Sequence, residues 1–413
     1  MNISFHMSPS RSSSTVLVLA LGLLAVSLGT PHPAHAQDGE LLPTLEFDTR
    51  VMQSAQFLQT EYSNSNPASN NAEPGFHRVR ANLEVTAEFH ERISAFIDIG
   101  HEPNDFGTGG ASFAPAVDYV ALDLMLNDAL TVRLGTPVTG LFNFRGYSDG
   151  AAVQGNPLIG NSPIDFITAE TGIQLVGATN RAAFDLTVTT PDFFETFAPG
   201  TGFTLVAKGS VNATDNLAIG AGVAQGTNGG TLDRGNVDAI NLITGDGENY
   251  NVAGRGQANR YTHASLLPGA SPTLFQLDAR GVGGPLTLDL WGGIGFEGDS
   301  FADALGNPTN ARQQRDGFVD DSSQMWWLGA TATWDATDRV FLSARGSYAA
   351  NSSDWASGLD ETALYRIQAG FGFTFWDVGM MKFEVVTQEE GVNSPGQLGT
   401  SWFGALAELS VGL

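Results

Sequence analysis

The sequence predicts an all-β fold, a closed antiparallel transmembrane β-barrel of about 16 strands. Three observations predict it. Apolar and polar residues alternate with period two through a long series of segments after Leu42. The connectors between those segments are alternately long and short. Beyond residue 36 there is no run of ~20 apolar residues of the kind that crosses a membrane as a helix.

The N-terminus comes first. Arg11 precedes an apolar run, Val16–Leu28, and Ala34-His35-Ala36 stands before Gln37. A basic start, an apolar stretch of this length and a small-residue cleavage site predict a signal peptide over 1–36. The exported part is then 37–413, read as one barrel. There is no cysteine, so an exported chain must close its structure by packing or hydrogen bonding instead of disulfides. Acidic residues number 44 against 19 basic, a net charge of −25. Such a surface repels nucleic acid.

The predicted strands run 43–58, 76–90, 93–100, 116–126, 130–136, 171–177, 182–190, 202–212, 217–224, 273–281, 286–296, 325–334, 339–349, 363–375, 379–388 and 401–413. Arg78–His90 is the clearest. Val79, Ala81, Leu83, Val85, Ala87 and Phe89 share one face; Arg78, Arg80, Asn82, Glu84, Thr86 and Glu88 share the other. A helix would scatter those charges, whereas a strand sorts them. The twelfth segment gives a dimension. Trp326, Leu328, Ala330, Ala332 and Trp334 fall on one face, with indoles at both ends. Eight steps rise ~27 Å, or ~20 Å along the normal at a tilt of ~40°, close to the ~25 Å apolar band of membrane barrels. Indoles favour the two interfaces, and Tyr348, Phe375 and Phe403 extend the same girdles.

Short connectors lie near Glu91-Arg92, Asn127-Asp128, Ala178–Arg181, Ala213–Asn216, Gly281–Pro285, Asp335–Asp338 and Trp376–Val378. Long ones occupy 59–75, 101–115, 137–170, 191–201, 225–272, 297–324, 350–362 and 389–400. Membrane barrels place short turns in the periplasm and long loops outside. The same order puts both ends of the barrel on the short-turn side.

Parity then assigns a wet interior. Its basic members are Arg50, Arg78, Arg80, Arg133, Lys208, Arg280, Arg345, Arg366 and Lys382. Its acidic members, slightly more numerous, are Glu46, Asp48, Glu84, Glu88, Asp98, Asp123, Asp185, Asp278, Asp289, Glu384 and Glu408. Such a mixture pairs across strands and leaves a hydrated path. The expected activity is passive diffusion of small hydrophilic solutes or ions through a water-filled outer-membrane channel. The alternative is an outer-membrane adhesin or structural anchor that does not conduct.

Two stretches, Arg78–Gly100 (RVRANLEVTAEFHERISAFIDIG) and Thr131–Leu141 (TVRLGTPVTGL), resemble a known family. The chain resembles the sixteen-stranded outer-membrane porins, most closely the phosphate-selective porin O/P type. The resemblance implies a homotrimer in outer-membrane lipid. It also implies that loop 137–170 folds into the lumen as a constriction. The loop's Gly140, Gly146, Gly150, Gly155, Gly160, Pro157 and Pro163 suit a chain with several turns. Its one basic residue, Arg145, expected to face charged wall residues, is outnumbered by Asp149, Asp165 and Glu170, so a weak preference for cations is expected. The chain ends in Leu413 where many such barrels end in an aromatic ring.

Catalytic and cofactor patterns are weak. Gly293–Gly298 (GIGFEG) has nucleotide-loop spacing with no helical pattern after it. His101-Glu102 lacks the second histidine of a zinc helix. There is no Gly-x-Ser-x-Gly elbow. His263 with Ser265 and Ser271 is too common a grouping to carry a hydrolase. The acids Asp246, Glu248, Asp316, Asp320 and Asp321 read as solvated loops. Neither an enzyme nor a cofactor or metal site is expected.

Overall fold

The computed structural model describes residues 44–62, 72–101, 116–136, 157–159, 171–190, 203–226, 273–296, 324–352, 362–390 and 400–412. Sixteen strands make one closed antiparallel barrel. They are β1 (Thr44–Tyr62), β2 (Ala72–His90), β3 (Ile93–His101), β4 (Ala116–Asn127), β5 (Leu130–Gly135), β6 (Thr171–Ala178), β7 (Ala182–Thr190) and β8 (Thr204–Thr214). The second half comprises β9 (Leu217–Gly226), β10 (Thr273–Gly283), β11 (Leu286–Phe296), β12 (Gln324–Thr337), β13 (Val340–Ser352), β14 (Thr362–Phe375), β15 (Gly379–Glu390) and β16 (Thr400–Gly412). Each strand pairs with its chain neighbours, and β1 meets β16 from Arg50↔Gly412 to Tyr62↔Thr400. Closure pairs the backbone groups that an open edge would leave bare in hydrocarbon.

Every predicted strand is present. The main difference is length at the long-loop end of the first hairpin. β1 runs on to Tyr62 and β2 begins at Ala72, where alternation had suggested 58 and 76. Thr60 and Glu61 break the apolar pattern there, yet the backbone goes on pairing, Thr60↔Trp402 and Glu61↔Ser401. Hydrogen bonding outlasts the apolar signal because a wall that rises beyond the lipid has no need of an apolar face.

The two faces are inverted relative to a soluble protein. Leu277 is 67 % exposed, Phe47 60 % and Leu328 53 %, while Arg366 is 0 % and Lys382 2 % exposed. Most large apolar side chains point out and the charged side chains point in. The predicted outer face of β12 is observed: Leu328 and Trp334 are exposed, and Trp326 stacks near Tyr348, with ring centroids 4.6 Å apart. Phe403 also faces out. Leu328→Arg is therefore expected to cost ~2–4 kcal/mol in a refolding titration, and inward Asn82→Arg much less. Equal costs would mean that the register is one residue out.

Glycine serves this wall by making room for rings. Trp291 on β11 lies over its cross-strand partner Gly329, and Trp327 on β12 lies over its own partner, Gly293. Each indole fills the space that a Cβ would need. Phe184 lies in the same way over Gly177.

The short turns close by local chemistry. The Ala129 amide donates to Asn127 Oδ1 (2.9 Å), and the Ala182 amide donates to Thr179 Oγ1 (3.0 Å). Trp376 and Asp377 adopt φ of 52° and 60° in the three-residue turn between Phe375 and Gly379, left-handed backbone that suits a tight hairpin.

Candidate functional site

Inward side chains form a ladder of cross-strand polar pairs. Arg133 holds Asp123 with two charge-assisted hydrogen bonds, Nε to Oδ1 and Nη2 to Oδ2, both 2.7 Å. Arg50 donates to Asp48 (2.6 Å) and stands 3.8 Å from Glu84. Asp185 accepts from Gln174 Nε2 (2.5 Å) and Thr187 Oγ1 (2.6 Å), and Lys208 is its register partner on β8. Arg280 lies 3.4 Å from Asp289. Such pairs fix the wall without emptying the lumen of charge.

The wall has two sectors. Along β1, β2, β4 and β5 the paired side chains keep water: Asp48 is 38 %, Arg133 37 %, Arg50 25 %, Asp123 24 % and Glu84 19 % exposed. Along β13–β16 they do not. Arg345, Arg366, Gln368, Lys382, Glu384 and Glu408 are all buried. Arg345 Nε donates to Thr331 Oγ1 (2.9 Å) and Arg366 Nε to Gln388 Oε1 (2.6 Å). Lys382 Nζ meets Glu408 at 2.9 Å. Alternation places Arg345 on the inner face correctly but in contact with water; it is in fact buried, because parity reports a face and not what covers it.

Part of that cover is described. Pro157–Ile159 belongs to the connector between β5 and β6. Leu158 is 1 % exposed, and Ile159 packs against Val386 and Leu406, which point inward from β15 and β16. The Ile159 amide donates to Glu384 Oε2 (2.6 Å), while Glu384 Oε1 accepts from Gln368 Nε2 (2.9 Å). A Cβ at Gly370 would stand 3.2 Å from Leu158 Cδ2, so glycine on β14 leaves room for the leucine. The seat on β15 lies six steps round the sheet from β5, in the order β5-β4-β3-β2-β1-β16-β15. Residues 157–159 of the connector are therefore inside the barrel, against its far wall.

Other predicted site residues are not brought together by what is described. Arg145, Asp149 and Asp165 lie outside the described residues. The side chains of Arg78 and Arg80 do so too. In the backbone, Arg80 pairs with Met52, while Arg78 falls at the irregularity between Gln53 and Ala55, where alternation does not define a face.

Sequence reasoning missed inward Trp291, Trp327 and Met52, all buried. Parity was the available signal, since Leu288 and Leu290 facing out put Trp291 inside. It also missed the Leu158 seat, whose signal was an apolar pair within a polar loop. Gly293–Phe296, the described part of the Gly-x-Gly-x-x-Gly match, lies in strand β11. No group of metal-ligating side chains occurs among the described residues.

No family model and no characterised protein matches the chain in sequence. Solved structures match its fold. The loop-L8 deletion mutant of OmpT, an outer membrane protein of Vibrio cholerae, is 10 % identical at a TM-score of 0.56, over 89 % of this chain and 99 % of that one. The outer membrane channel DcaP of Acinetobacter baumannii is 7 % identical at 0.55, over 91 % and 99 %. An anion-selective porin from Comamonas acidovorans is 12 % identical at 0.53, over 90 % and 100 %. The chain therefore has the fold of outer-membrane porins and channels; the three structures named do not show the phosphate-selective subtype.

Proposed function

We propose that this chain is an outer-membrane porin, a water-filled channel for passive diffusion of small hydrophilic solutes or ions, working as a homotrimer without catalysis. The observation that carries the reading is the inverted wall. Apolar residues meet the surroundings, charged pairs meet the lumen, and a segment of the β5–β6 connector lies within it. A barrel that served only as an anchor would have no use for a hydrated, charge-lined sector along β1, β2, β4 and β5. The porin and channel folds it matches favour the same reading.

We assign it a weak preference for cations, unlike the anion-selective porin it resembles in fold. In the watered sector Asp48, Glu84 and Asp123 outnumber Arg50 and Arg133. In the sequence of the connector, one basic residue, Arg145, is outnumbered by Asp149, Asp165 and Glu170. Ion selectivity follows the fixed charge that lines a pore. Reconstitution in a planar bilayer under a salt gradient tests both claims. Conductance with a small cation-selective reversal potential is expected, and Arg145→Glu should increase that potential. Absence of conductance from folded barrels would overturn the channel; strong anion selectivity would overturn the charge assignment.

A further inference from the structure

We propose that the outer wall between β5 and β10 carries a binding groove for one phospholipid of the inner leaflet, its acyl chain in the groove and its phosphate at Arg181. The proposal rests on the membrane-spanning reading above, with the short turns facing the periplasm.

The groove follows from one cross-strand row. Gly177 pairs with Phe184, Phe184 with Gly209, Gly209 with Ala221 and Ala221 with Leu277, all on the outward face. The Phe184 ring lies over Gly177 and so leans away from Gly209. Nothing takes its place: a Cβ at Gly209 would meet only the Ala183 carbonyl oxygen, at 3.8 Å. Gly209 and Ala221 are thus the floor, and Phe184 and Leu277 the walls, of an apolar groove of about 720 Å3. Val211 and Ile219 continue it toward the short turns, both exposed.

The rim is polar. The turn through Thr179 and Ala182 borders the groove and carries exposed Arg181. The backbone of Arg181 is held in place, its amide donating to Thr179 Oγ1 (3.3 Å) and its carbonyl accepting from Asn212 (2.7 Å). Its guanidinium has no ion pair among the described residues. Among the other short-turn arginines, Arg339 faces Asp377 at 3.8 Å and Arg92 donates to the Leu126 carbonyl (3.4 Å). Gly209 stands three residues from Asn212, about 10 Å along the strand. An apolar trough that ends near an unpaired cation at the water boundary matches a phosphodiester with the first methylenes of its chain.

Native mass spectrometry of the intact barrel in detergent, titrated with dimyristoyl phosphatidylglycerol, tests this. One retained lipid per chain is expected. Gly209→Phe fills the floor and should lower retention about tenfold, the worth of a few methylenes kept out of an apolar site. Gly346→Phe is the control, an outward glycine on β13 with open space around it and no part in the groove. It should retain the lipid. Arg181→Gln should weaken retention severalfold. If Gly209→Phe does not fold, as judged by heat-modifiable gel mobility, Ala221→Leu blocks the same floor. Equal retention by the native chain and the floor variant overturns the groove, as does equal loss in the Gly346→Phe control. Lipid retained by a barrel that does not conduct would sink the channel reading alone. Conductance without retained lipid would sink the groove alone.

Discussion

Deleting residues 146–160 should raise single-channel conductance severalfold while the barrel still folds. The deletion removes Leu158 and Ile159, which rest inside the barrel on Val386, Leu406 and Glu384. The wall beneath them has its own bonds, such as Gln368 to Glu384, so the strands do not depend on the guest. Leu158→Asp should give a smaller rise, since a carboxylate beside Glu384 is repelled from the seat. The check is a planar-bilayer recording paired with heat-modifiable mobility on a gel. Unchanged conductance from a folded deletion variant would show that the constriction lies elsewhere.

Lys382→Met should cost about 3–5 kcal/mol of barrel stability. Lys382 and Glu408 are 2 % and 3 % exposed and meet at 2.9 Å. Removing the cation leaves a buried carboxylate without its partner, the expensive half of any buried ion pair. Adding Glu408→Leu should recover most of the loss, because an apolar pair of similar volume needs no counter-charge. Urea-induced unfolding of single and double variants, in a double-mutant cycle, gives the coupling. A single variant as stable as the native chain would show that water reaches Glu408 after all.

The fold was legible because a barrel wall writes its geometry into the sequence twice. Alternation sets the face of each residue, and the alternately long and short connectors set the hairpin order. Both signals are local, and both were sufficient for strands as different as β5 (Leu130–Gly135) and β12 (Gln324–Thr337). The wet side of Arg50 and Arg133 was readable in the same way. What covers the wall was not. Arg345 and Asp48 look alike in alternation, yet one is buried and the other is 38 % exposed. That difference depends on chain far away in sequence, as when Ile159 reaches Glu384. The end of β2 shows the other limit. An irregularity near Arg78 resets the alternation, and a one-residue change exchanges the faces.

The paired indoles of β11 and β12 have a further consequence. Trp291 on Gly329 and Trp327 on Gly293 interlock in both directions, so these strands fit together at one offset only. In a closed sheet the offsets between neighbours accumulate round the circumference, and their total sets strand tilt and diameter together. A slip at this hairpin would have to be absorbed elsewhere or would change the bore. The calibre of the barrel is thus partly gauged by two rings that stand away from the watered sector, a measurement made by tryptophan and glycine.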